Sequence, residues 1–207
     1  MSASVDRRLL LSAALAAVPL AAPALVPAPA AAEGRRPAAK PAVTPETAPQ
    51  WPIAPQFYPT KVWVRPEFTP GSIVVLSDQF FLYHIYAPRR AIRYGVAVGR
   101  GELKFRGQAE VARKVEWPSW RPTPEMIARS PKYARYADGM PGGPRNPLGA
   151  RALYLFQNGH DTAIRIHGTT EPASIGHAVS NGCIRMVNDH VIALYDSVEL
   201  GTPVTVF

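Results

Sequence analysis

One cysteine in 207 residues excludes an internal disulfide framework. It also leaves too little thiolate for a cysteine-rich zinc site. Charged residues are sparse at 18%, against 47% hydrophobic, a balance that belongs to a chain able to bury a core. Lysines and arginines do not cluster with aromatics, so nucleic acid is not the expected partner. No glycine-rich phosphate loop, nucleotide motif or flavin signature occurs, and no organic cofactor is implied. The one long apolar run, Leu9 to Val26, is interrupted by Pro19 and Pro23, which argues against a permanent membrane-spanning helix.

Proline, in contrast, is abundant. The 23 prolines are too many for one compact domain and predict a stretch of extended linker. Net charge is +8, which favours an anionic partner such as a lipid surface or a carboxylate-rich polymer. Asp6, Arg7 and Arg8 precede the Ala/Leu-rich run, which ends near Ala30-Ala31-Ala32. A charged start, an apolar middle and a small-residue cleavage site describe a secretory signal peptide over residues 1–32. The Arg7-Arg8 pair leaves both the general and the twin-arginine export routes open. Residues 33–69 are rich in proline and alanine and predict an extended tether, with Trp51, Phe57 and Trp63 available to dock on the domain.

From Gly71 the texture changes. Ile73–Leu76, Phe80–Tyr86 and Ile92–Val98 are short β-branched and aromatic runs separated by turn residues, an antiparallel meander. Thr123-Pro124 starts a brief helix that stops at Ser130-Pro131. Ala152–Phe156 and Ala163–Ile166 form a hairpin around Asn158-Gly159. Asn188-Asp189 caps a helix carrying Val191, Ile192, Leu194, Tyr195 and Val198 on one face, and Pro203–Phe207 closes as a strand. Many short strands with one or two helices predict a mostly β sheet or sandwich.

Cys183 is an intermolecular bridge, a passive core residue or a reactive thiol. Its setting, Ser180-Asn181-Gly182-Cys183, is a small, polar turn that can expose a side chain and aim backbone N–H groups at a developing oxyanion. A thiol needs a base or a positive field to act as a nucleophile. His167, at the end of the run Ala163–Ile166 and followed at once by Gly168, is placed as a scaffold places catalytic groups. His84, His160, His177 and His190 lack that context. The spacing of His160, His167, His177 and Cys183 matches no common ligand pattern, so no metal is expected.

Ile166-His167-Gly168-Thr169, Ser174-Ile175-Gly176 and Ser180-Asn181-Gly182-Cys183-Ile184-Arg185-Met186 together resemble the signature of the L,D-transpeptidase catalytic-domain family (YkuD-type). Asn146-Pro147-Leu148-Gly149-Ala150, Leu194-Tyr195-Asp196 and Gly201-Thr202-Pro203-Val204 extend the resemblance over residues 70–207. It implies a β-sandwich or mixed β-sheet domain acting on peptidoglycan stem peptides at the cell envelope, in the periplasm or facing the wall. By that resemblance Cys183 is the nucleophile, His167 accepts its proton, and Gly168 orients the imidazole through its carbonyl. N–H groups near Gly182 and Cys183 hold the oxyanion, and Ser180, Asn181, Gly182 and Arg185 contact substrate or brace the loop. The third-residue carbonyl of the stem is attacked, D-alanine leaves, and an amine, water or an envelope protein's amine resolves the thioester. The family usually carries histidine where this chain has Asn181, which leaves a catalytically silent wall-binding module as the alternative from another class.

Overall fold

The computed structural model describes residues 50–207. The expected signal peptide and residues 33–49 of the tether lie outside the described residues. Eleven strands and two helices follow one another along these residues. Most of the strands join one nine-stranded mixed sheet, in the order β1-β4-β3-β2-β11-β6-β7-β8-β10.

The predicted meander is present as β2 (Ile73–Leu76), β3 (Phe81–Ala87) and β4 (Arg90–Gly95), paired antiparallel. Its runs of Val, Ile, Leu and Tyr suit a pleated surface buried on one side or both. In front of it, β1 (Thr60–Trp63) pairs antiparallel with β4. Residues 50–69 thus contribute a strand to the sheet, and Trp51 and Phe57, two of the aromatics available to dock, pack on the domain. Trp51 stacks edge-on to His190 at 4.5 Å and donates from its indole N–H to Asp189 at 2.9 Å. A Cβ on Gly95 or Gly176 would stand 2.3–2.4 Å from atoms of the Phe57 side chain. Glycine at both positions opens the notch that the ring fills. Trp63 remains 72% exposed, with the Arg90 guanidinium 4.8 Å from its ring centroid.

Next come the short β5 (Val98–Gly99) and then β6 (Gly107–Glu116), the longest strand, for which the sequence pattern gives no strand signal. Gln, Glu, Arg and Lys dominate β6, so its apolar alternation is weak. Neighbours cover its cations: Arg113 lies over Tyr154, and Lys114 over Tyr195 while donating to the Val198 carbonyl. Helix α1 (Pro124–Arg129) begins where Thr123 predicts, its hydroxyl accepting from Met126 N–H. The hairpin is β7 (Arg151–Gln157) and β8 (His160–His167).

The chain ends with β9 (Ala178–Ser180), β10 (Ile184–Arg185), α2 (Asn188–Ser197) and β11 (Pro203–Val206). β9 pairs parallel with β5, β10 with β8 and β11 with β2, which makes the main sheet mixed. The cap of α2 differs from expectation: Val187 is the N-cap and no side chain closes that end. Asn188 instead reaches across to the backbone, accepting from Ala150 N–H at 3.0 Å and donating to the Thr169 carbonyl at 3.3 Å. Val191, Leu194 and Val198 of this segment join the central core with Ile73, Val75, Leu82, Leu153, Leu155, Ile166 and Ile184.

Candidate active site

Strand alternation does the first sorting of the site. On β8 and β10, Ile166 pairs in register with Ile184, and His167 with Arg185. The two isoleucines are buried in the core, so the residues on either side of them face the other way. Arg165, His167, Cys183 and Arg185 accordingly line one cavity of about 360 Å³. Ser180, Asn181 and Tyr154 complete its lining on the sheet side, and Trp120, Arg121, Met126, Arg129 and Tyr133, from and around α1, form its roof.

Cys183 is half-buried and free of any disulfide. Its thiol donates to the Ala163 carbonyl at 3.8 Å, a weak contact that favours the protonated form. Ala163 reaches that position because β8 is irregular there: the register to β7 shifts between Tyr154 and Phe156, and Ala163 adopts φ of 59°. Left-handed backbone in an alanine costs free energy. The Asp161 carboxylate supports it by accepting from Ala163 N–H at 2.8 Å. Burial pushes the Cys183 thiol up, while the Arg165 backbone N–H and the guanidinium charges of Arg165 and Arg185 pull it back.

His167 is 4% exposed, with its Nδ1 2.5 Å from the Gly168 carbonyl. A carbonyl can only accept, so Nδ1 carries the proton and Nε2 keeps its lone pair. Burial lowers the imidazole to about 4, outweighing the raising effect of the Gly168 carbonyl. It is neutral at pH 7. Gly168 itself sits where a Cβ would meet Asn188 Oδ1 at 2.1 Å, so only glycine leaves this carbonyl where it is.

Of the residues read from the sequence, Cys183, His167, Ser180, Asn181 and Arg185 share the cavity, whereas Gly168 and Gly182 are not part of its lining. Ser180 ties the Cys183 turn together, donating to the Cys183 carbonyl at 2.5 Å and accepting from Gly182 N–H at 3.1 Å. The Gly182 N–H, expected to face an oxyanion, is therefore occupied by Ser180. Arg185 pairs with Glu171 at 2.9 Å, and Arg165 makes a two-pronged pair with Asp161 at 2.7 and 2.8 Å. Asn181 accepts from Arg129 on α1 at 3.4 Å. Sequence reasoning missed Glu171, Asp161, Arg165, Asn188 and the whole roof. Asn188 had a signal, but its capping role was the obvious reading; the others lie too far apart in sequence to be paired by spacing.

The L,D-transpeptidase catalytic domain family model (YkuD) matches residues 70–206. The chain is 31% identical over 150 residues to the Escherichia coli protein named "Probable L,D-transpeptidase ErfK/SrfK", covering 69% of this chain and 46% of that one. The chain spans about half the length of the curated relatives it matches first. Among solved structures, a Brucella melitensis protein named "Probable carnitine operon oxidoreductase caia" is 51% identical, with a TM-score of 0.51 over 72% of this chain and 92% of that one. The L,D-transpeptidase of Enterococcus faecium has a TM-score of 0.51 at 18% identity, over 67% of this chain and 50% of that one. At that identity the likeness concerns the fold alone.

Proposed function

Since this chain belongs to the L,D-transpeptidase catalytic-domain family, we propose that it is an exported acyltransferase acting on peptidoglycan stem peptides. The observation that carries the reading is a single cavity holding Cys183 beside an imidazole whose Nδ1 is tied to Gly168. Nothing else in the chain can act as a thiol nucleophile.

At rest the thiol and the imidazole are both neutral, because burial opposes charge on each. Among the described residues the thiol's hydrogen bond runs to Ala163, not to His167. Attack therefore begins as Sγ leaves that carbonyl and passes its proton to His167 Nε2 while sulfur bonds to the third-residue carbonyl carbon. The Cys183 N–H is the donor left for the oxyanion, since Ser180 holds that of Gly182. Collapse breaks the bond to D-alanine, whose amine takes the proton from His167, and leaves a thioester on Cys183. An acceptor amine then loses a proton to His167, bonds to the carbonyl and releases the thiol. The signal-like residues 1–32 direct the enzyme to the envelope, and no helix among the described residues is long and apolar enough to cross a membrane.

Intact-protein mass spectrometry after incubation with a carbapenem tests the nucleophile. A stable adduct is expected on the natural chain, absent in Cys183→Ala and slowed in His167→Ala. No adduct on folded natural chain favours the silent wall-binding module. Stem tetrapeptide as substrate then identifies the acceptor: cross-linked dimer marks the transferase, and trimmed tripeptide marks a hydrolase of the same chemistry.

A further inference from the structure

Four arginines line the active-site cavity: Arg121, Arg129, Arg165 and Arg185. Two are neutralised in place, Arg165 by Asp161 and Arg185 by Glu171. The other two belong to the roof, and neither has a carboxylate partner among the described residues. Arg121 donates from Nε to the Ala137 carbonyl at 2.8 Å, which fixes its side chain but leaves its charge uncompensated. Among the described residues Arg129 makes only the long 3.4 Å contact to the neutral amide of Asn181. Glu125, one turn back on α1, feels the Arg129 charge without forming an ion pair. An uncompensated guanidinium above a nucleophile, held by one weak and neutral bond, is set to exchange that bond for a charged acceptor.

We infer that Arg129, with Arg121 lining the same cavity, is a specificity-determining residue that reads a free carboxylate on the bound peptide. The inference rests on the stem-peptide reading above. Arg129 bonds to Asn181, two residues before Cys183, so a carboxylate taken by this guanidinium lies close to the scissile carbonyl. Binding releases Asn181 from Arg129 and turns its amide oxygen toward the substrate. A peptide whose carboxylate is amidated keeps its shape but loses the charge, and the roof arginines then face a neutral group.

The test compares kcat/KM for a free-acid stem tetrapeptide, one amidated at its C-terminus, and one amidated at its internal carboxylates. The natural chain is expected to prefer free acid over one of the amides by roughly tenfold or more, the weight of one charge-assisted contact. The arm that shows the loss identifies which carboxylate is read. In Arg129→Gln that preference shrinks toward unity, mainly through KM, while Arg129→Lys restores part of it. Iodoacetamide labelling of Cys183, followed by mass spectrometry, checks that the thiol remains accessible in each variant. An acid-to-amide ratio unchanged in Arg129→Gln overturns the inference and leaves the proposed function standing. Turnover surviving in Cys183→Ala overturns the proposed function itself.

Discussion

At Cys183 and His167 burial acts in opposite directions. Desolvation penalises the charged form of each, raising the thiol and lowering the imidazole. In the proposed reaction the pair therefore starts as a neutral acid and a neutral base, not as a standing thiolate–imidazolium pair. This has a direct consequence for the pH profile. The base is competent whenever His167 is unprotonated, and its value of about 4 lies well below the ordinary 6.5. The acid limb of kcat/KM is thus expected near pH 4 to 5, with activity still full at pH 6. Stopped-flow acylation with circular dichroism checks at each pH measures it, and a limb at 6 to 7 would mean that His167 is solvated. Cys183, His167 and Gly168 were legible as residue types in a pattern. The Ala163 carbonyl that holds the thiol was not, because a strand irregularity has no signature in the side chain that adopts it.

The elements show where local patterning suffices and where it fails. Strands β2 to β4, the β7–β8 hairpin and α1 follow from period and turn chemistry, since each is specified within a few residues. β6 was invisible because its apolar alternation is diluted by charges that only neighbouring strands and α2 cover. The segment from Trp51 to Trp63 reads as linker from its prolines, yet it docks. Its anchor, Phe57, is half-buried against Ile175, Val187 and Ala97. Ile175 directly follows the turn Pro172–Ser174, and Glu171, which holds Arg185, directly precedes it. Phe57→Ala removes that anchor and is expected to cost about 2 kcal/mol for a partly buried ring. That corresponds to a fall in Tm of roughly 5 °C, readable by differential scanning calorimetry. An unchanged Tm would show that the segment contributes nothing to the fold.

For the whole molecule, acid sensitivity has a built-in source. His167 and His190 are buried at 4% and 1% exposure, and both are lowered to about 4 by burial. Among the described residues His190 has no hydrogen-bond partner on either ring nitrogen, and it packs between Trp51 and Tyr94. A lowered folded value means that the unfolded chain takes up protons first as pH falls. Stability is full above pH 6.5 and declines between about 6.5 and 4, by up to about 3 kcal/mol for each histidine. Urea unfolding midpoints at pH 7.5 and 4.5 test this, and His190→Phe, which stacks without titrating, is expected to flatten the difference by about half. Equal midpoints in the natural chain would sink the idea. The sequence alone determined what is encoded locally and by residue chemistry: the strand-rich domain, the lone cysteine in its small polar turn, a histidine at a strand end and the family they resemble. Only the tertiary structure decided which arginines are neutralised, that the Gly182 N–H belongs to Ser180, and that a proline-rich segment is part of the fold. These depend on partners brought together across the sheet from distant parts of the chain, and contacts of that kind leave no periodic trace along it.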